Sequence, residues 1–292
     1  RDGEALAMSV PSRDVVVDPS KIVEASPNFH DAKWQYLASA LNTPVDQIAS
    51  KIYQNAHRHF LFLGRKVELG IAKDIADLHI KGISEVYDDS RFYPMGEAAA
   101  PLIGIVGADN NGLNGVERGY DSILQGEPGK EIYRKDANGG IINVLDYDAP
   151  KQPPTVQLSI DKFDQYTLYS KLRDGVLLNK ADSGAAVLVK IDTGEILAMA
   201  SYPSYNPNNF DNATQTQMRD VAINDSFEPG STVKPLVIIE WLERNIIQPN
   251  TLLDTTPYRV NGHLIRDVGH WPQLTPTGIL QKSSDIGVSH IA

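Results

Sequence analysis

The stretch Phe227-Glu228-Pro229-Gly230-Ser231-Thr232-Val233-Lys234-Pro235-Leu236 constrains this chain more than any other. Its Pro-Gly pair predicts a turn, and the residues after it predict a helix that begins close to Ser231. Lys234 follows three residues later, so on a helix the two side chains share a face. Val233, Leu236, Val237, Ile238, Ile239, Trp241 and Leu242 leave no clear polar side, which predicts a central, buried helix running to about Asn245. This arrangement suits nucleophilic chemistry. Serine is a weak nucleophile until a neighbouring base takes its proton, and apolar surroundings let a lysine be that base by disfavouring its charged form. A helix N-terminus adds unpaired N–H groups and partial positive charge, which favour an oxyanion.

The tetrapeptide alone is weak, because a chain of this length holds about one Ser-x-x-Lys by chance. Ser159-Ile160-Asp161-Lys162 is such a second match, where a strand-like run (Thr155 to Ser159) leads into a helix. The Pro-Gly elbow and the apolar run that follows set Ser231 apart.

The same segment, Glu228-Pro229-Gly230-Ser231-Thr232-Val233-Lys234-Pro235, resembles the active-site serine segment of class B penicillin-binding proteins, most closely the division-specific transpeptidases of Gram-negative bacteria. Gly184–Val189 with Thr193–Ala200 is similar to the strand pair that opens their transpeptidase domain. Pro203–Asn208, Pro257–His263 and Leu280–Ser284 also match, and upstream Arg91–Pro94, Gly112–Glu117 and Arg1–Ala7 resemble segments of the non-catalytic part. The likeness covers nearly the whole chain. It implies an α+β protein of two domains: a mixed α/β pedestal of dimerisation type, then a serine transpeptidase domain of the penicillin-binding and β-lactamase-like fold.

The family uses three motifs, Ser-x-x-Lys, Ser-x-Asn and Lys-Thr-Gly. Ser231 and Lys234 supply the first. Ser283-Ser284-Asp285 stands at the second, with aspartate in place of asparagine, and no Lys-Thr-Gly occurs in the sequence. The family also carries one N-terminal membrane helix. No apolar run here approaches the ~20 residues of a span, so the expectation is of a chain cut at both ends.

The implied activity is cross-linking of peptidoglycan stem peptides during septal cell-wall synthesis, through an acyl-enzyme on Ser231. Lys234 is the implied base and Ser283 the relay toward the leaving amine. β-Lactams are expected to acylate Ser231 and remain, with no metal or organic cofactor. Implied partners are a polytopic glycosyltransferase and other division proteins, and the implied location is the periplasmic face of the inner membrane. Asp285 complicates this reading. An ionised aspartate offers only acceptors, and its charge beside Lys234 favours the ammonium and weakens the base. A non-catalytic cell-wall scaffold, a β-lactam sensor and a serine β-lactamase are the alternatives.

Composition narrows the classes further. A net charge of −10, from 27 basic and 37 acidic residues, argues against a general nucleic-acid binder. The absence of cysteine removes disulfides, thiolate metal sites and cysteine nucleophiles. His57 and His59 share a strand face but have no third ligand, and read as a surface pair. Asp192-Thr193-Gly194 resembles an aspartic-protease loop, but such a site needs two carboxylates, and a hairpin turn accounts for the tripeptide.

Along the chain, residues 1–150 read as the pedestal and 151–292 as the first part of the transpeptidase domain, joined at Ala149-Pro150-Lys151-Gln152-Pro153-Pro154. Helices are expected at Ala32–Leu41, Pro44–Tyr53 (capped by Thr43), Ile71–Leu78, Val116–Leu124 and Asp161–Val176. The last should bury Phe163, Tyr166, Tyr169, Leu172 and Val176 as one stripe. Strands are expected at His59–Leu63 and Thr155–Ser159. Hairpins are expected about Asn138-Gly139-Gly140, Asp192-Thr193-Gly194 and Asn261-Gly262. Thr275 and Pro276 should open a helix ending near Lys282, which leaves Ser283-Ser284-Asp285 on a short connection before a helix from Ile286.

Overall fold

The computed structural model describes residues 1–127, 129–135, 141–148, 151 and 153–291. The Asn138-Gly139-Gly140 turn, together with Ala149, Pro150 and Gln152 of the expected linker, lies outside them. The chain forms two compact units, Arg1–Asp225 and Ser226–Ala292.

The first unit opens on strand β1 (Met8–Val17), the centre of a three-stranded antiparallel sheet between β2 (Leu61–Glu68) and β3 (Ile83–Phe92). Helices α1 (Pro19–Ala25), α2 (Ala32–Ala40), α3 (Val45–Gln54) and α4 (Leu69–Asp77) complete this layer. Its core joins Val15 and Val17 of β1 to Ile22, Trp34, Leu37, Ile48, Ile52 and Ile75 of the helices. The carboxylates of Asp18 and Asp31 accept first-turn amides of α1 and α2 and so fix both starts. α3 forms where a helix is expected, but its cap differs. Pro44 occupies the N-cap without a side-chain bond, and the Thr43 hydroxyl donates back to Leu41 O at 3.0 Å. β2 starts at Leu61, so His57 and His59 precede it, both exposed, with His59 Nδ1 3.0 Å from Ser20 Oγ. Among the described residues no group of three or more His, Cys, Asp or Glu side chains could hold a metal ion.

Two short helices, α5 (Ala100–Ile103) and α6 (Gly115–Gly119), lead to α7 (Asp121–Leu124). The single helix expected over Val116–Leu124 is thus split at Tyr120. Strands β4 (Lys130–Lys135) and β5 (Ile141–Asp148) pair antiparallel.

Helix α8 (Lys162–Asn179) is capped by Asp161 and packs on the antiparallel pair β6 (Gly184–Val189) and β7 (Ile196–Tyr202). The buried face of α8 differs from the expected stripe. Phe163 and Tyr166 are exposed, and the face consists of Gln165, Tyr169, Leu172 and Val176. Gln165 is fully buried because its amide behaves as a peptide group against β7. Its Oε1 accepts from Met199 N at 2.8 Å, and its Nε2 donates to Met199 O at 2.8 Å and to Ala98 O at 2.7 Å. Residues 155–159 do not form a strand. Ser159 Oγ donates to Ile196 O of β7, and just beyond it Asp161 N donates to Leu197 O. Two further short helices, α9 (Gln215–Met218) and α10 (Val221–Asn224), close this unit.

The second unit holds helix α11 (Lys234–Glu243), the two-residue strands β8 (Leu253–Asp254) and β11 (Gln273–Leu274), the hairpin β9 (Tyr258–Val260) with β10 (His263–Ile265), and helices α12 (Pro276–Lys282) and α13 (Asp285–Ser289). Asn261 and Gly262 both have positive φ, 48° and 85°, as a tight I′-type turn requires. Ile238, Ile247, Ile279 and Ile291 form the core, with Val237, Trp241, Leu242, Leu253, Leu274 and Val288 packed around them. The expectation of an all-round buried α11 is corrected here. Lys234 and Ile238 are buried, but Leu236 is 66% and Ile239 51% exposed. Within this unit α12 and α13 cover one side of α11 only.

Candidate active site

Ser231 lies in a 3-10 turn, Gly230–Val233, that runs directly into α11 at Lys234. Gly230 makes this entry possible. Its φ of +58° is a left-handed conformation that glycine adopts without steric cost. In a 3-10 turn residues i and i+3 eclipse one another, so Ser231 and Lys234 are stacked in register. Pro235 follows in the first turn of α11, where its missing N–H costs nothing. Ser231 is exposed, while the Lys234 side chain is only 7% exposed. Among the described residues the Ser231 N–H has no intramolecular partner.

The other half of the site comes from the corner between α12 and α13. Thr275 caps α12, accepting from Gly278 N at 3.2 Å. At its far end Ser283 turns the chain in the left-handed region, φ 54° and ψ 42°. Ser283 N donates to Leu280 O and Ser284 N to Ile279 O, which satisfies the last carbonyls of α12. Ser284 then caps α13, its Oγ accepting from Gly287 N at 2.9 Å. Asp285 is therefore the first residue of α13 and not part of the connection, which is two residues long. The polar group that the sequence reading assigned to a loop is the start of a helix because Ser284 satisfies the cap. Replacing Thr275 by alanine is expected to cost about 1 kcal/mol. The measurable sign is faster amide exchange at Gly278 with the rest of the unit protected.

The corner brings the other two candidate residues, Ser283 and Asp285, onto Lys234, and Ser283 onto Ser231 as well. Lys234 Nζ donates to Ser283 O at 2.6 Å and to Ser283 Oγ at 3.1 Å, and pairs with Asp285 Oδ1 at 2.6 Å. Ser283 Oγ donates to Ser231 Oγ at 2.7 Å. Lys234 thus reaches Ser231 through Ser283, with no direct hydrogen bond between them among the described residues. An ammonium has three donors, and all three are taken. The hydrogen-bond polarity runs from Lys234 through Ser283 to Ser231, with Ser231 as the terminal acceptor.

One residue of this neighbourhood escaped the sequence reading. Asp267, in the segment after β10, accepts from Ser284 Oγ at 2.5 Å, Asp285 N at 2.7 Å and Ile286 N at 3.0 Å. Nothing local marks it, because Arg266-Asp267-Val268-Gly269 reads as an ordinary polar turn and its partners lie 17 to 19 residues downstream.

A serine, a buried lysine and a second serine in hydrogen-bonded series define a serine acyl-transfer type of site. Comparison with known proteins gives the family of the chain. Residues 1–158 match the penicillin-binding protein dimerisation domain, and residues 184–292 match the penicillin-binding protein transpeptidase domain. The chain belongs to the penicillin-binding protein family. It is 44% identical over 292 residues to the peptidoglycan D,D-transpeptidase FtsI of Escherichia coli, covering 100% of this chain and 50% of that protein. The corresponding protein of Buchnera aphidicola is 41% identical, with 100% and 51% covered. The probable peptidoglycan D,D-transpeptidase PenA of Neisseria gonorrhoeae is 32% identical over 295 residues, with 100% and 50% covered. The chain thus spans about half the length of these curated relatives. A peptidoglycan synthetase from Bifidobacterium adolescentis shares the fold, with a TM-score of 0.66 at 22% identity over 99% of this chain and 57% of that one. Among the described residues no helix is long and apolar enough to cross a membrane.

Proposed function

We propose that this chain is part of a division-specific peptidoglycan D,D-transpeptidase that cross-links stem peptides through an acyl-enzyme on Ser231. The observation that carries the reading is the continuous series Lys234, Ser283, Ser231, with contacts of 3.1 and 2.7 Å, in a segment matching the transpeptidase domain. Residues 1–150 serve as the non-catalytic pedestal and 151–292 as the start of the catalytic domain. The donor is a stem peptide ending in D-Ala-D-Ala. Ser231 Oγ attacks the penultimate carbonyl, forming an ester as the bond to terminal D-alanine breaks. The amine of a neighbouring stem then takes the acyl group.

Activation requires the hydrogen-bond polarity to reverse. With Lys234 in its neutral form, Ser231 donates to Ser283 Oγ, Ser283 donates to Lys234 Nζ, and the nucleophilic oxygen is freed. The same series, run back, delivers a proton toward the leaving amine. The unpartnered Ser231 N–H is placed to receive the oxyanion, a contact worth ~3 kcal/mol in comparable sites. β-Lactams acylate Ser231 by the same route. The site works at the periplasmic face of the inner membrane, with a polytopic glycosyltransferase and other division proteins as partners.

The Lys234–Asp285 ion pair favours a second reading, a binding module that acylates slowly or not at all, because it holds the lysine in the arrangement that leaves Ser231 an acceptor. Intact mass after incubation with benzylpenicillin separates the two. A single stable adduct mapped to Ser231 is expected, on this chain and on the longer polypeptide of its relatives' length. No adduct on either sinks the transpeptidase reading and leaves the module.

A further inference from the structure

We propose that Asp267 is a positioning residue of this site: its carboxylate holds the Ser283–Asp285 corner at the depth where Ser283 Oγ meets Ser231 Oγ. The inference rests on the functional reading above only for its kinetic consequence. Among the described residues Asp267 has no hydrogen bond or ion pair to Ser231 or Lys234, so it acts through the corner and not on the reacting atoms.

Three contacts carry the argument. Oδ1 accepts from two consecutive backbone amides, Asp285 N and Ile286 N, and Oδ2 accepts from Ser284 Oγ. The two amides are first-turn donors of α13, which have no partner inside the helix. Ser284 is completely buried, and its hydroxyl donates to Asp267 and accepts from Gly287 N. One carboxylate therefore fixes the residues on the α13 side of Ser283, while the carbonyls of Ile279 and Leu280 fix the α12 side. Between these two anchors Ser283 sits in a left-handed conformation that a residue with a Cβ does not favour by itself. Without the Asp267 anchor the corner has a ready way to relax. The three contacts it makes with Lys234, through Ser283 O, Ser283 Oγ and Asp285 Oδ1, would move with it.

A helix cap alone would alter stability but not the rate of the folded protein, and this difference is the test. The full-length polypeptide and its Asp267→Ala, Asp267→Asn and Ser284→Ala variants are acylated with a chromogenic β-lactam, separating initial binding from the acylation step. Amide exchange is read at Ser283, Asp285 and Ile286. Asp267→Ala should slow the acylation step about 10- to 100-fold, because an ångström of misplacement is worth on the order of 100-fold, with binding little changed. Exchange at Asp285 and Ile286 should accelerate. Asp267→Asn keeps an oxygen for both amides and should recover most of the rate. Ser284→Ala, which removes the hydroxyl arm to Asp267 together with the cap on Gly287 N but leaves both amide contacts, should fall between the two and serves with Asp267→Asn if Asp267→Ala does not fold. An unchanged acylation step in a folded Asp267→Ala variant overturns the proposal, as does exchange that stays slow at Asp285 and Ile286. If the unsubstituted protein shows no acylation, the transpeptidase reading falls instead, and the exchange data still decide whether Asp267 holds the corner.

Discussion

Ser231→Ala is expected to abolish the benzylpenicillin adduct, and Lys234→Ala to reduce acylation by about 10^4-fold or more, the scale seen when one member of a catalytic unit is removed. The first follows from position. Ser231 Oγ is the exposed end of the series, and its neighbours suit a nucleophile: Ser283 on one side and, on the other, its own N–H, which has no partner among the described residues. The second follows from burial. Lys234 bonds both Ser283 and Asp285, and without it Ser283 has no base to take the proton removed from Ser231. Neither change should unfold the unit. Ser231 is exposed. Loss of the lysine leaves Ser283 O short of a donor, at a cost of about 1–3 kcal/mol. Intact mass with peptide mapping reads the adduct, and circular dichroism reads the fold. Full labelling of Ser231→Ala, at whatever residue, would show that the nucleophile lies elsewhere.

The parts of the fold that were legible are those whose signal is local. α2, α4 and α8 announce themselves through apolar spacing, with carboxylate caps at Asp31 for α2 and Asp161 for α8, α12 through Thr275-Pro276, and β9–β10 through Asn261-Gly262. β1 and β3 gave no such signal. The apolar run Val15–Val17 is preceded by Ser12, Arg13 and Asp14, of which Ser12 and Asp14 are nevertheless buried. Asp14 is tolerated there because Lys66 N and Arg65 Nε, more than fifty residues away, donate to it. Gln165 misleads for the same reason, since its burial depends on the amide and carbonyl of Met199. Phe163 and Tyr166 continue the apolar spacing of α8, yet lie outside the face that packs on β7.

The site was legible to a similar depth. Ser231 and Lys234 are three residues apart, and the turn before them is written in Pro229 and Gly230. Ser283 was reachable only through the resemblance, because a Ser-x-Asp triplet carries little by itself. Asp267 was not reachable at all. Its role exists because a turn after β10 passes the N-terminus of α13, and that proximity is a property of tertiary packing. The exposed side of α11 is a further case. Apolar spacing reports what a helix can bury, and within this unit Leu236 and Ile239 face outward although both would suit a core.

Asp285→Asn is expected to raise the acylation rate by up to about tenfold. In the present arrangement Lys234 Nζ spends one of its three donors on Asp285 Oδ1 at 2.6 Å, a charge-assisted contact that keeps the ammonium where Ser231 can only accept. Asparagine preserves the size of the side chain and an oxygen acceptor, but removes the charge. The series can then pass more readily to the polarity in which Ser231 donates. The gain is bounded because the Asp285 side chain is 65% exposed and solvent screens it. Tenfold corresponds to ~1.4 kcal/mol, somewhat more than the ~1 kcal/mol of a fully exposed pair and admissible as a ceiling here because Lys234 is 7% exposed. Screening also gives the prediction a second signature: the difference between the two proteins should shrink as salt is raised toward 1 M, where the Debye length falls to about 3 Å. A substantial loss of acylation in Asp285→Asn would reverse the argument. It would mean that the ion pair positions Lys234 and Ser283, and that the carboxylate contributes more as an anchor than it costs as a charge.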